Sequence, residues 1–383
     1  MSQREFPSFS LSRLLRNTFH PRKGERICIL IDLPDILLVK DWAFLENKQF
    51  SIQKHAHESF YQALHDNVMT ELQLSGGDFF AYEETGGSNL DLPDIVMSPD
   101  GSELSLNKDV YPNYNIILCI STYSATAPLT AFAKQFGFRG ATLHGVNDII
   151  LNSGLAVDYN EVSRDAEKLR LALTHADYFE IDFQLEDETH TLKLECSQQD
   201  AQKSHGICLE NEPDVANLPA GEVYFVPTGG EGEFIMQYAD GTLGLQTVES
   251  GKIITATLIR GEQSTIDDHN KKLKSDPVTG EIGELGFGTQ DLPVSGRDIQ
   301  DEKILGTIHV ATGRSDHLGG TLTPDKFVTP TNATHDDILF SPSKTPDITV
   351  SEVRMQRDGK TIVVLENYQP TAHLLDALNN SDL

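Results

Sequence analysis

Six side chains in the last part of the chain have the chemistry to hold divalent cations: Glu222, Glu284, Glu302, His309, His335 and Asp337. They fall in four islands, residues 217–225, 283–288, 301–311 and 334–337, set among glycines and short apolar runs. Carboxylate oxygens and imidazole nitrogens in mixed sets suit Zn, Mn, Co and Fe. Two such ions side by side need about five or six groups, one carboxylate bridging. His335 and Asp337 are two residues apart, so a strand would point both to one face. His309 interrupts an apolar strand candidate, where a polar ring needs a partner. Glu284 stands among Gly283, Gly286 and Gly288, which allow close backbone approach. Taken singly, each has an ordinary explanation: a solvated Glu, a hydrogen-bonded core His, a chance His-x-Asp pair.

The elements that must position these groups differ between the two parts of the chain. Residues 26–32 and 115–120 are continuous apolar runs of the kind buried in parallel sheets. Helical spacing follows or precedes them at 9–19, 53–74, 129–136 and 163–176. His55, His57 and His65 on or near the second of these helices read as polar residues of an exposed helix. This alternation predicts an α/β N-terminal domain, residues 1–176, with a mainly parallel sheet. From 177 onward strict alternation sets in, with a hairpin over 178–196 turning at 186–188. Residues 252–260, 303–311 and 360–366 are further strands, and little helix is expected. Residues 177–383 are therefore read as a mostly β (α+β), metal-binding catalytic domain, with a fraying polar tail at 376–383.

The 383 residues suit two domains. A net charge of −28 argues against nucleic acid as a partner, because phosphate contacts need clustered Lys and Arg. Cys28, Cys119, Cys196 and Cys208 lack CxxC spacing and read as buried thiols in a reducing compartment. There is no long apolar run for a membrane span and no secretory leader pattern, so a cytoplasmic protein is expected. Neither GxGxxG nor GxxxxGK[ST] follows the first strand, so no nucleotide site is indicated.

The order and spacing of the four islands resemble the metallopeptidase family of aminopeptidase T and aminopeptidase S. The matching motifs are Asn217-Leu218-Pro219-Ala220-Gly221-Glu222, Gly283-Glu284, Asp301-Glu302 before His309-Val310-Ala311-Thr312-Gly313, and His335-Asp336-Asp337. The resemblance implies that Glu222, Glu284, His309, His335 and Asp337 are metal ligands, with Glu284 bridging. Glu302 stands two residues farther from His309 than the family pattern places it, and is either a ligand or lies just behind the ligands. The resemblance also implies a homodimer. One departure falls at Asp316, where the family has a tyrosine that helps stabilise the reacting carbonyl. An ionised Asp cannot donate to an oxyanion, so His317 or Arg314 would have to substitute.

The expectation is a metal-dependent hydrolase of aminopeptidase type. Two Zn, Co or Mn ions would activate a water against a small peptide or amide, with Glu284 and His317 as catalytic groups. A different expectation comes from a branch resembling 2,5-dihydroxypyridine ring-cleaving dioxygenases. It needs one Fe(II), held by His309, His335 and Asp337 as two imidazoles and a carboxylate. The third is a non-catalytic homologue, suggested by Asp316.

Overall fold

The computed structural model describes residues 4–208 and 212–380. The fold is mixed α/β, with one sheet containing parallel strands and two antiparallel sheets. Two compact units are present, residues 1–163 with 205–220, and residues 164–204 with 221–383. Where the alternation pattern suggested one boundary near 177, the chain thus crosses between units three times.

In the first unit, strands Asp214–Asn217, Arg139–Thr142, Ile116–Cys119, Arg26–Leu33 and Ser75–Glu83 run parallel in that spatial order. Ile95–Met97 and Glu103–Ser105 extend the sheet in antiparallel fashion. Ile27 through Ile31 are fully buried, which explains why that stretch is apolar without alternation. Leu11–Phe19 is a helix whose N-cap Ser10 accepts from the Arg13 N–H. Thr126–Phe136 ends where Gly137 takes φ 82° and returns its N–H to the Ala133 carbonyl.

The second unit is a sandwich of two antiparallel sheets. The larger has eight strands, among them the hairpin Tyr178–Leu185 and Glu188–Glu195, paired from Tyr178↔Glu195 to Leu185↔Glu188. The smaller orders His335–Phe340, Ile308–Gly313, Ile282–Gly288, Glu222–Phe225 and Gln202–Ser204. Phe179 meets Phe225 and Phe287 at centroid distances of 5.2 and 5.3 Å, and Phe183 meets Phe340 at 4.6 Å. Each aromatic buried this way contributes roughly 1.5–3 kcal/mol. Two helices depart from the expectation of little helix here. Gln263–Ser275 packs on the strand Lys252–Arg260, and Ala372–Asn379 covers much of the segment expected to fray. Residues 381–383 of that expected tail lie outside the described residues.

Alternation then divides the smaller sheet into two faces. Val223, Phe225, Leu285, Phe287, Ile308, Val310, Ile338 and Phe340 belong to the apolar core between the sheets. The intervening residues, Glu222, Glu284, His309, His335 and Asp337, take the opposite face. Among the described residues no helix is long and apolar enough to cross a membrane.

Candidate metal centre

Register brings the second face together. Glu284 pairs with Ala311, and Ala311 pairs with Asp337 on its other side, so an alanine separates two carboxylates on adjacent ladders. His309 lies opposite Gly286. A Cβ at Gly286 would stand 2.1 Å from His309 Cε1, so only glycine leaves room for this imidazole. The outcome is two ligand groups sharing one residue. Glu222, Glu284 and His309 form one, and Glu284, His335 and Asp337 form the other, each with ligand atoms within 4.8 Å of one another.

Glu284 is the hinge of the arrangement. Its Oε1 lies 3.3 Å from His309 Nε2, and its Oε2 lies 3.0 Å from His335 Nε2. His335 Nε2 also lies 3.3 Å from Asp337 Oδ1, and His309 Nε2 lies 3.6 Å from Glu222 Oε2. The trio His309, His335 and Asp337 does not form one of these tight groups, because Glu284 stands between the two imidazoles.

The donor set fits a divalent cation. His335 Nδ1 donates to the Arg314 carbonyl at 2.6 Å, which leaves Nε2 with its lone pair in the neutral tautomer. That lone pair faces two carboxylate oxygens. Such a contact is repulsive unless a proton or a metal ion lies between them. Burial disfavours charge on all these groups, and their mutual contacts outweigh it. Hydrogen bonds with His309 and His335 hold the Glu284 carboxyl well below its usual range. Asp337 and Glu284 push His335 well above its ordinary value, and contact with Glu284 raises His309 to about 9. The cluster demands positive charge, which a divalent ion supplies without protons.

Lys303 supplies some of that charge from the protein itself. Its Nζ lies 2.6 Å from Glu222 Oε2 and 2.6 Å from Glu302 Oε1, with the lysine side chain 1% exposed. Burial opposes its charge, but Glu222 and Glu302 hold its pKa far above the usual lysine value. One ammonium between two buried carboxylates neutralises only one of them. Burial accordingly lifts Glu302 to about 8 while Lys303 pulls against it. Glu302, expected among the ligands, is absent from both tight groups and holds the lysine instead. Lys303 was overlooked in the sequence, where its only signal is a cation directly following Asp301 and Glu302.

No protein-family model matches the chain, and no curated protein matches it. Its fold is similar to a solved structure, that of 2,5-dihydroxypyridine dioxygenase from Pseudomonas putida KT2440. The TM-score is 0.60 at 12% identity, covering 94% of this chain and 97% of that one. The resemblance to aminopeptidases T and S therefore does not hold, and the hydrolase and peptidase assignment falls with it. No family model supports those motifs, and the whole-chain likeness runs to a dioxygenase. The physical reason lies in the sheet. Motif spacing here records which residues take the face away from the apolar core on four adjacent strands, and that pattern is compatible with more than one chemistry.

The loop after the His309 strand also differs from the hydrolase expectation. Asp316 accepts from Arg314 Nε at 2.7 Å and from Nη2 at 3.3 Å, so the guanidinium is engaged rather than aimed at a substrate. The His317 ring stands edge-on to His335, with centroids 5.0 Å apart and planes at 88°. Burial lowers its pKa to about 3, so it is neutral, and its buried Nδ1 has no hydrogen-bond partner among the described residues.

Proposed function

We propose that this chain is a metal-dependent dioxygenase that opens a dihydroxylated aromatic or heteroaromatic ring. The observation that carries the reading is the gathering of Glu284, His335 and Asp337 on one sheet face. The fold likeness to 2,5-dihydroxypyridine dioxygenase supports it and suggests the substrate class. Iron held by one imidazole and two carboxylates, in place of the two imidazoles and one carboxylate expected from the sequence, would supply the redox capacity for dioxygen chemistry. Both oxygen atoms enter the product, so no external reductant is needed.

The protein's own groups have separate tasks. The Arg314 carbonyl fixes the tautomer and orientation of His335. Glu284 ties the two imidazoles together, and Gly286 gives His309 its place. Asp337 is the exposed member of the triad and marks the side from which a substrate enters. His317, neutral and with a buried Nδ1 that has no partner among the described residues, could hydrogen-bond a ring hydroxyl and orient it.

The test uses protein loaded anaerobically with Fe(II), then mixed with dioxygen and a panel of dihydroxypyridines and dihydroxybenzenes. The expected result is equimolar loss of dioxygen and of ring absorbance, abolished by Asp337→Ala. Iron-loaded protein that consumes no dioxygen with any member of the panel overturns the reading.

A further inference from the structure

The unit built on the parallel sheet holds a second feature, unrelated to the metal centre. Trp42 is the only tryptophan in the chain. With Tyr61 and Phe79 it walls one corner of a hollow of about 460 Å³. Ring centroids are 4.9 Å apart for Trp42–Tyr61, 5.2 Å for Trp42–Phe79 and 5.5 Å for Tyr61–Phe79. Trp42 and Tyr61 meet the Phe79 plane at 67° and 79°, so both pack edge to face with Phe79, which is buried at the base of the corner, while Trp42 and Tyr61 remain partly exposed. His65 continues the wall beside Tyr61 at 4.5 Å. His57 packs against Trp42 at 4.6 Å without lining the hollow, and burial holds it below its ordinary pKa.

The charge of the lining is one-sided. Asp41, Asp78 and Asp100 line the hollow, and neither lysine nor arginine is among the described lining residues. Asp78 is engaged by Tyr114 and Arg26. Asp41 and Asp100 are exposed. Hydrogen bonds from Ser98 and Ser102 hold Asp100 below the usual carboxylate range, which keeps it anionic.

The backbone is strained at the same place. Asp41 and Trp42 take φ values of 50° and 61°, two successive left-handed residues that are not glycine. The Asp41 N–H is pinned to the Pro99 carbonyl at 2.9 Å. Such strain persists where the surroundings over-determine it, and it concentrates at ligand clamps. Here it interrupts the 3-10 segment Ile36–Glu46 and sets the indole into the wall of the hollow.

We propose that this hollow is a binding site for a small organic ammonium ion. Aromatic faces carry negative potential and attract a desolvated cation, tryptophan most strongly, while the anionic rim draws it in. The site is independent of the dioxygenase reading.

Trp42 fluorescence reports on this hollow alone. Full-length protein is titrated with choline and with 3,3-dimethyl-1-butanol, which has a similar shape and no charge. The expected result is a saturable change with choline and binding roughly tenfold weaker for the neutral analogue. Asp100→Asn and Tyr61→Leu should each weaken choline binding with the circular dichroism spectrum unchanged. Equal response to choline and its neutral analogue overturns the proposal, as does no saturable response to choline, tetramethylammonium or butylamine. If Tyr61→Leu fails to fold, the comparison on the wild-type protein still decides.

Discussion

Lys303 and Glu222 form an ion pair at 2.6 Å on the ligand-bearing face of the smaller sheet, both almost wholly removed from solvent. Glu222 also belongs to one of the two groups that could hold an ion, so protein charge would compete there with metal charge. In Lys303→Met two carboxylates would be buried without their cation. Breaking a buried pair from one side costs about 3–5 kcal/mol. The midpoint of thermal unfolding of the metal-free variant should drop accordingly. Added Mn or Zn should recover part of the loss and raise the metal content per chain above that of the wild type. An unchanged unfolding midpoint, or no difference in metal content, would show that Lys303 does not govern occupancy near Glu222.

Gly286→Ala tests the room reserved for His309. The added methyl would collide with an imidazole in a packed sheet face, at a cost of roughly 1–3 kcal/mol. Metal affinity should fall by about 10–100-fold, the range seen when groups supporting a ligand are lost. Calorimetric titration with a divalent metal gives the affinity, and urea unfolding gives the stability. If affinity is unaffected, His309 does not touch the ion.

Removal of metal should leave a pH signature. In the metal-free protein His309 is raised to about 9, above the roughly 6.5 of an unfolded chain. The native state then binds the extra proton. This contribution to stability is fully present below about pH 6.5 and is lost as pH rises through about 9. Urea unfolding of chelator-treated protein at pH 6, 7.5 and 9 should show the decline. Metal-loaded protein should lack it, because the ion takes the place of the proton. A flat profile without metal would contradict the charge arrangement around Glu284.

His269 predicts the opposite slope. Burial lowers its pKa to about 4, and its Nδ1 hydrogen-bonds the Tyr238 hydroxyl. The unfolded chain takes up the proton first. The stability from a neutral His269 is therefore present above about pH 6.5 and is lost as pH falls toward about 4. His269→Gln should flatten this limb of the stability profile, measured by denaturant unfolding from pH 7.5 to 4.5. An unaltered acid limb would assign the loss to other groups.

Much of the fold was legible because burial leaves a local trace. The apolar run at 26–32 and the alternation of 178–196 each follow from which faces are covered. The gathering of side chains on one sheet face was legible in part for the same reason, since His335 and Asp337 share a face two residues apart. Long-range pairing was not. Asp214–Asn217 joins a sheet whose neighbouring strand lies some seventy residues earlier, and no local pattern says so. Nor does any pattern reveal that Lys303 reaches back to Glu222, or that Glu284 divides the two histidines. The motif spacing conveyed a sheet face and was misread as a reaction.

Ala311 has a wider consequence. It is the rung between Glu284 and Asp337, and neighbouring strands sit about 4.8 Å apart. The pitch of the ladder thus acts as a fixed gauge across which side chains of chosen length must reach. Residues on that second face can be exchanged while Leu285, Val310 and Ile338 on the core side stay put. Such a surface can acquire a new reaction by editing its rungs and leaving its frame alone.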